Sequence, residues 1–176
     1  EGAFKAGGRE LSGLAGKDLS FSLQDLRQMP RQTQTTLHIC IQGWSYFAQW
    51  AGVPVSALID ICQPLPNARF LVFHTLDEKW ERPSHGYYYE VIDLEIARLS
   101  QPILAYAMNG QRLRVSHGAP IRLRVENQPG YKIHQWFNGI NFVTSFALIG
   151  RGKGGWREAV LHYSPPHAAI DPDISH

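Results

Sequence analysis

The chain has 176 residues, a formal charge of +2 and 44% hydrophobic residues, which excludes a disordered chain and fits one domain of roughly 100–200 residues with its own core. A near-balanced charge and a pI near 8.6 exclude the strongly basic face of a duplex-binding protein. Two cysteines, Cys40 and Cys62, are too few for a disulfide framework and lack finger spacing; no apolar run reaches the roughly 18 residues of a membrane span. The chain opens EGAFKAGGRE, without Met and without a charged-then-apolar leader, as a processed chain or a piece of a longer one does.

In chain order, LSFSLQDLRQMP starts with two-residue alternation, after which Ser22 can cap a short helix carrying Leu23 and Leu26, ended by Pro30. QTTLHICIQ is a strand by its branched and apolar content. VPVSALIDICQPLP reads as a helix started at Pro54, with Ala57, Leu58, Ile61 and Cys62 on its buried face and Pro64 as its stop. ARFLVFHTL is a buried strand, and YYYEVIDLEIARLS is a strand or aromatic turn leading into a short helix. ILAYAMNGQRLRV is a hairpin about Asn109-Gly110, two residues that tolerate positive φ. In APIRLRVEN, Ile121, Leu123 and Val125 face one way and Arg122 and Arg124 the other. IHQWFNGINFVTSFALIG continues the sheet. Residues 1–18 and 150–176 read as largely loop or extended. The expected architecture is a single α+β domain over 1–176, dominated by mixed sheet.

The common zinc, acyl-transfer and nucleotide chemistries lack their spacings, since HExxH, GxSxG, Walker and dinucleotide motifs are all missing. GRGKGG at 150–155 shares only composition with a phosphate loop and reads as a flexible loop. Cys40 is the residue on which function turns. A lone Cys in an apolar strand is ordinarily a small core hydrophobe, yet this one stands where a strand turns through Gly43, and strand ends are where functional groups become accessible. A thiolate suits a soft metal centre, and a single Cys would leave most of the coordination to donors brought by a cofactor.

The segment CIQGWSYFAQWAGVPVSALI, with Cys40, Trp44, Ser45, Trp50, Gly52 and Pro54, resembles the cysteine segment of the molybdenum-cofactor oxidoreductases of the sulfite oxidase fold, most closely the bacterial branch of the periplasmic methionine sulfoxide reductase catalytic subunits. ILAYAMNGQRLRVSHGAPIRLRV and PGYKIHQW resemble two further blocks of that family, in the same order, so the resemblance runs from about Leu19 to Ile170. It implies the molybdopterin-binding domain of that fold, and mononuclear molybdenum on one pterin with Cys40 as its sole protein ligand. It implies that His117, Arg122 and Lys132 lie in the cofactor pocket, joined by His38, Trp44 and Ser45, and that Thr75 stands near the metal. It further implies oxygen-atom transfer to or from a small substrate such as a sulfoxide, a haem-containing electron partner, and a periplasmic location, with a cytoplasmic domain left open.

Three departures qualify the resemblance. Sulfite-oxidising branches carry an Arg soon after the cysteine, whereas Gln42 to Tyr46 offer none, which argues against sulfite. Gln135 stands where the family commonly has a further base. The upstream segment that covers the pterin is not found in residues 1–18. A second reading is therefore a cofactor-free descendant of the fold acting as a binding module. A third is a thiol enzyme with Cys40 as nucleophile and His38 or His117 as base. Tyr88, Tyr89 and Trp44 are candidates for an apolar rim.

Overall fold

The computed structural model describes residues 9–39, 43–78, 87–128, 132–133, 135–149 and 152–155. Among them the chain forms, in order, β1 (Arg9–Gly13), β2 (Leu19–Phe21), α1 (Leu23–Gln28), β3 (Gln32–Ile39), β4 (Ser45–Pro54), α2 (Val55–Cys62), β5 (Phe70–Glu78), β6 (Tyr87–Asp93), α3 (Leu94–Ala97), β7 (Ile103–Met108), β8 (Gln111–Arg112), β9 (Arg122–Arg124) and β10 (Phe137–Val143). One sheet has the order β2-β1-β10-β5-β6 and the other β3-β4-β7-β8, with β9 also pairing β7. The fold is α+β, and one pair, β1 with β10, is parallel, so the first sheet is mixed.

Local chemistry accounts for the element ends. Ser22 Oγ accepts from the Asp25 amide and Asp25 Oδ2 accepts from the Ser22 amide, a capping box that starts α1. Pro54 caps α2, and Gln63 closes it in the left-handed region at φ 50°. The buried stripe of α2 is Val55, Leu58, Ile59 and Cys62, the i, i+3, i+4, i+7 positions of one helix face. Ile61, expected on that face, is instead 43% exposed. Asn109 and Gly110 both take positive φ, 51° and 73°, as a two-residue hairpin between β7 and β8 requires.

β4 was not apparent as a strand in the sequence, and it is the longest in the molecule's described part. Its pairing with β7 shifts register between Ala51 and Gly52, and a Cβ on Gly52 would stand 2.0 Å from the Leu104 carbonyl oxygen. Glycine is the residue that lets the two backbones close here.

The main core lies between the sheets. Leu11, Leu71, Phe73, Ile92, Phe137, Ile140 and Phe142 from the first meet Val53, Leu104, Leu123 and α2 from the second. Each sheet also has an outer cluster. That of the first is Val72, Tyr89 and Val91; that of the second is Ala48, Trp50, Ile103, Ala105 and Leu113, with Tyr46 and Met108 packed on it. The second sheet's outer face is where the polar residues of interest gather.

Candidate functional site

Strand register puts the site together. Trp50 pairs with Gln34, Ala48 with Thr36 and Tyr46 with His38, while Ala105 pairs with Arg122 and Ile103 with Arg124. Because side chains alternate across a strand, these residues share the outer face of the second sheet.

Both arginines on that face are buried, Arg122 at 4% exposure and Arg124 at 0%. The sequence pattern correctly turned them away from the core, but they do not face solvent. Their guanidinium carbons lie over the Trp50 ring, at 5.1 Å for Arg122 and 4.2 Å for Arg124, a cation–π arrangement that gains strength once water is excluded. Arg122 donates from Nη1 to the His117 carbonyl at 3.0 Å and from Nη2 to the Ile133 carbonyl at 3.4 Å. Arg124 donates from Nε to Glu126 at 2.6 Å and forms an ion pair with it.

The balance of charge here is positive. Burial, then repulsion from Arg124, lowers Arg122 to about 10; burial also lowers Arg124, against the pull of Glu126. Taking cations out of water is costly unless partners compensate. Glu126 forms its ion pair with Arg124, and Arg122 is held by the two carbonyls. Several buried polar atoms on that face have no hydrogen-bond partner within the described chain: Arg122 Nε, Trp50 Nε1, Gln34 Nε2 and Thr36 Oγ1. Such orphans are rare in folded proteins and mark a place where another molecule completes the bonding. Donors and a net positive charge fit an anion with several acceptors.

His38 continues the row. Arg124 Nη1 lies 3.5 Å from its Nδ1. A guanidinium only donates, so Nδ1 is the acceptor and the ring proton sits on Nε2. Burial first, then Arg124 and Arg122, holds His38 down to about 4, and the imidazole is neutral. Its ring contacts Tyr46 at 5.2 Å and Trp44 at 5.6 Å, and Trp44 stacks on Tyr46 at 5.7 Å with planes 19° apart. Trp44 is 48% exposed, so the row ends in an aromatic lip open to solvent.

The other expected site residues fall as follows. Ser45 is exposed at the start of β4 opposite Ile39. His117, half-buried in a short turn Val115–His117, enters through its carbonyl. Lys132 is fully buried and its Nζ reaches the Val91 carbonyl at 3.5 Å, on the first sheet. Thr75 is 2% exposed and donates to the Tyr88 carbonyl at 3.1 Å. The structure therefore gathers His38, Trp44 and Arg122 with the His117 backbone, and sets Thr75 and Lys132 against β6. Cys40 lies outside the described residues, between Ile39 and Gly43, the flanks that hold His38 and Trp44. Tyr88 and Tyr89 are buried on β6, so the aromatic lip is Trp44 with Tyr46 instead. Arg124 and Trp50 were noted in the sequence but given no role at the site, and Gln34, Thr36 and Glu126 were not singled out; an Arg-x-Arg strand facing a Trp was the available signal for the first two. Among the described residues, no three His, Cys, Asp or Glu side chains group as metal ligands.

Residues 10–147 match the oxidoreductase molybdopterin-binding domain family, and the chain belongs to that family. A molybdenum cofactor is thereby implied, and the orphaned donors and cationic pair are a suitable bed for its anionic pterin. Among individual proteins, the chain is 31% identical to a putative protein-methionine-sulfoxide reductase subunit YedZ1 of Azospira oryzae, across 77% of this chain and 48% of that one. It is 27% identical to the protein-methionine-sulfoxide reductase catalytic subunits MsrP of Campylobacter jejuni, across 95% of this chain and 57% of that one, and of Pseudomonas syringae, across 94% and 50%. The chain thus spans about half the length of these curated relatives. The sulfane dehydrogenase SoxCD of Paracoccus pantotrophus shares the fold, with a TM-score of 0.71 at 23% identity over 86% of this chain and 40% of that one.

Proposed function

We propose that this chain is the cofactor-holding part of a molybdenum-dependent oxidoreductase that moves an oxygen atom to or from a small sulfur substrate, in the direction of sulfoxide reduction. The observation that carries the reading is the buried Arg122–Trp50–Arg124 stack with its unpartnered donors, on the face that also holds His38, two residues before Cys40 in sequence. The relatives named as methionine sulfoxide reductases supply the substrate class.

In this reading Cys40 ligates mononuclear molybdenum carried by one pterin. Arg122 and Arg124 grip the pterin's anionic end, with the planar, permanently charged fork that suits phosphate. Gln34, Thr36 and Trp50 bond its ring and side-arm acceptors. His117 orients Arg122 through its carbonyl. When bound, the molybdenum cofactor supplies two-electron oxygen-atom transfer. His38, neutral with its proton on Nε2, offers a hydrogen-bond donor beside Cys40, and Thr75 offers a hydroxyl. Trp44 and Tyr46 exclude water from one side of the opening. The electron donor is a haem protein and the location periplasmic, both on the resemblance alone; among the described residues no helix is long and apolar enough to cross a membrane.

The test is sulfoxide reduction with a reduced dye as electron donor. Wild type turns over methionine sulfoxide, and Cys40→Ser, folded by circular dichroism, falls by at least about a thousandfold, the scale on which lost catalytic groups are felt. Equal activity in the two proteins sinks the reading.

A further inference from the structure

The β7–β8 hairpin and the turn after it carry a second pair of arginines. Residues 111–125, QRLRVSHGAPIRLRV, include Arg112, Arg114, Arg122 and Arg124 and neither Asp nor Glu. Arg122 and Arg124 are buried over Trp50, whereas Arg112 and Arg114 are exposed. Between the exposed pair, Leu113 is buried in the outer cluster of the second sheet beside Trp50. In extended chain the two neighbours of a buried residue point together to the opposite side, so anchoring Leu113 turns both guanidiniums outward. Among the described residues neither forms an ion pair with a carboxylate.

Arg112 and Arg114 line a cavity of about 150 Å³ with Met108, Asn109, Gln111 and His117. Backbone bonds hold its walls. The Leu113 amide donates to the Tyr106 carbonyl at 3.1 Å, and the His117 and Ala119 amides donate to the Arg114 carbonyl at 2.9 and 3.0 Å. The Asn109 amide donates to the Gln49 carbonyl at 2.7 Å, and Asn109 Oδ1 accepts from the Gln49 amide at 2.9 Å. That commits the acceptor end of the Asn109 side chain and leaves Nδ2 to donate. The lining therefore offers two guanidiniums, two side-chain amides and an imidazole, with no carboxylate against them. Its volume is that of about five waters at roughly 30 Å³ each, well below the roughly 300 Å³ at which sites for drug-sized ligands begin.

We propose that this cavity binds a small oxyanion of the sulfate or phosphate type, at a site separate from the cofactor bed. Two planar guanidinium forks need a ligand with several acceptor oxygens, which a tetrahedral oxyanion has and a halide lacks. The bed uses Arg122 and Arg124, and this cavity uses Arg112 and Arg114. The two sites meet at His117, whose carbonyl accepts from Arg122 at 3.0 Å. An anion held there offsets positive charge along an arginine-rich segment whose described carboxylate, Glu126, is taken by Arg124.

The test is isothermal titration calorimetry of sulfate and of phosphate into the full chain, at fixed ionic strength so that general screening is constant. Sodium chloride is the control titrant. Wild type binds each oxyanion at one site per chain, with or without molybdenum, and chloride gives no saturable heat. Arg112→Gln/Arg114→Gln binds at least about tenfold more weakly, as loss of two charge-assisted grips requires. Both positions are exposed, so the fold survives, which circular dichroism checks. Arg31→Gln/Arg98→Gln, which removes the same charge from exposed positions elsewhere, binds as wild type does. Equal weakening in the two double variants, saturable chloride binding of similar strength, or no saturable oxyanion binding overturns the proposal. So does binding that vanishes once the chain holds molybdenum, because the cavity would then be part of the cofactor bed. Absence of molybdenum and of sulfoxide reduction, with the oxyanion pattern intact, rejects the proposed enzyme chemistry and leaves this site standing.

Discussion

Where β4, β7 and β9 meet, both faces of the second sheet are buried, and they differ in what they bury. Its inner face sets Val53, Leu104, Tyr106 and Leu123 into the main core, and each side chain is satisfied by contact with its neighbours. Its outer face sets Trp50, Arg122, Arg124 and His38 out of water and leaves donors without acceptors. Low exposure alone does not separate a core from a site. Unpaired polar groups do, because a core has no use for them and a ligand does.

Substitutions on the two faces therefore have opposite signatures. The largest effect belongs to the outer face: Arg122→Met in protein expressed with molybdate loses at least about tenfold of its molybdenum per folded chain, since one charge-assisted grip is worth roughly 1.5–3 kcal/mol. In metal-free protein the same substitution changes stability by no more than about 1 kcal/mol, because an apolar side chain of similar size replaces a poorly compensated buried cation. Leu104→Ala on the inner face costs about 2–5 kcal/mol in urea unfolding and keeps the molybdenum content of the folded fraction. Equal loss of metal from both variants would erase the distinction.

Cys62 sharpens the comparison from the core side. It is free and 0% exposed, and burial, reinforced by Asp18, raises its thiol from 9.0 to about 11. The unfolded thiol ionises first as pH rises, so stability falls between pH 9 and about 11, by about 1.4 kcal/mol per unit at most. Cys62→Ala removes that contribution to the slope in urea titrations across the window; an unchanged slope contradicts it. The smallest effect is Ser22→Ala, which removes the capping-box acceptor of α1 for about 1 kcal/mol, read as a lower thermal midpoint with no change in molybdenum content.

Much of the fold could be read from residues whose local chemistry is decisive. Ser22, Pro54 and Asn109-Gly110 marked their turns because a cap, a fixed φ or a positive φ has few alternatives. The β5 and β6 strands stood out by their apolar and aromatic runs. β4 did not, since SYFAQWAGVP carries a Gly and a Pro and slips register midway, so neither alternation nor a plain apolar run survives in it. β1 is five residues and depends on β10, far away in sequence. At the site, alternation in Ile121–Val125 established which way the arginines point, but periodicity is silent on what covers them. Lys132 sits in a basic turn by sequence and is fully buried by tertiary packing. Gln34 and Thr36 look like ordinary strand residues until Trp50 and Arg124 stand beside them.

The most direct measurement is molybdenum by plasma mass spectrometry, with pterin by fluorescence after oxidative release, on folded full chain expressed with molybdate. Wild type, Arg122→Met and Cys40→Ser are measured side by side. The account predicts about one molybdenum and one pterin per chain in wild type, with both reduced in Arg122→Met and molybdenum reduced in Cys40→Ser. Folded wild type holding neither, or Arg122→Met holding as much as wild type, contradicts it.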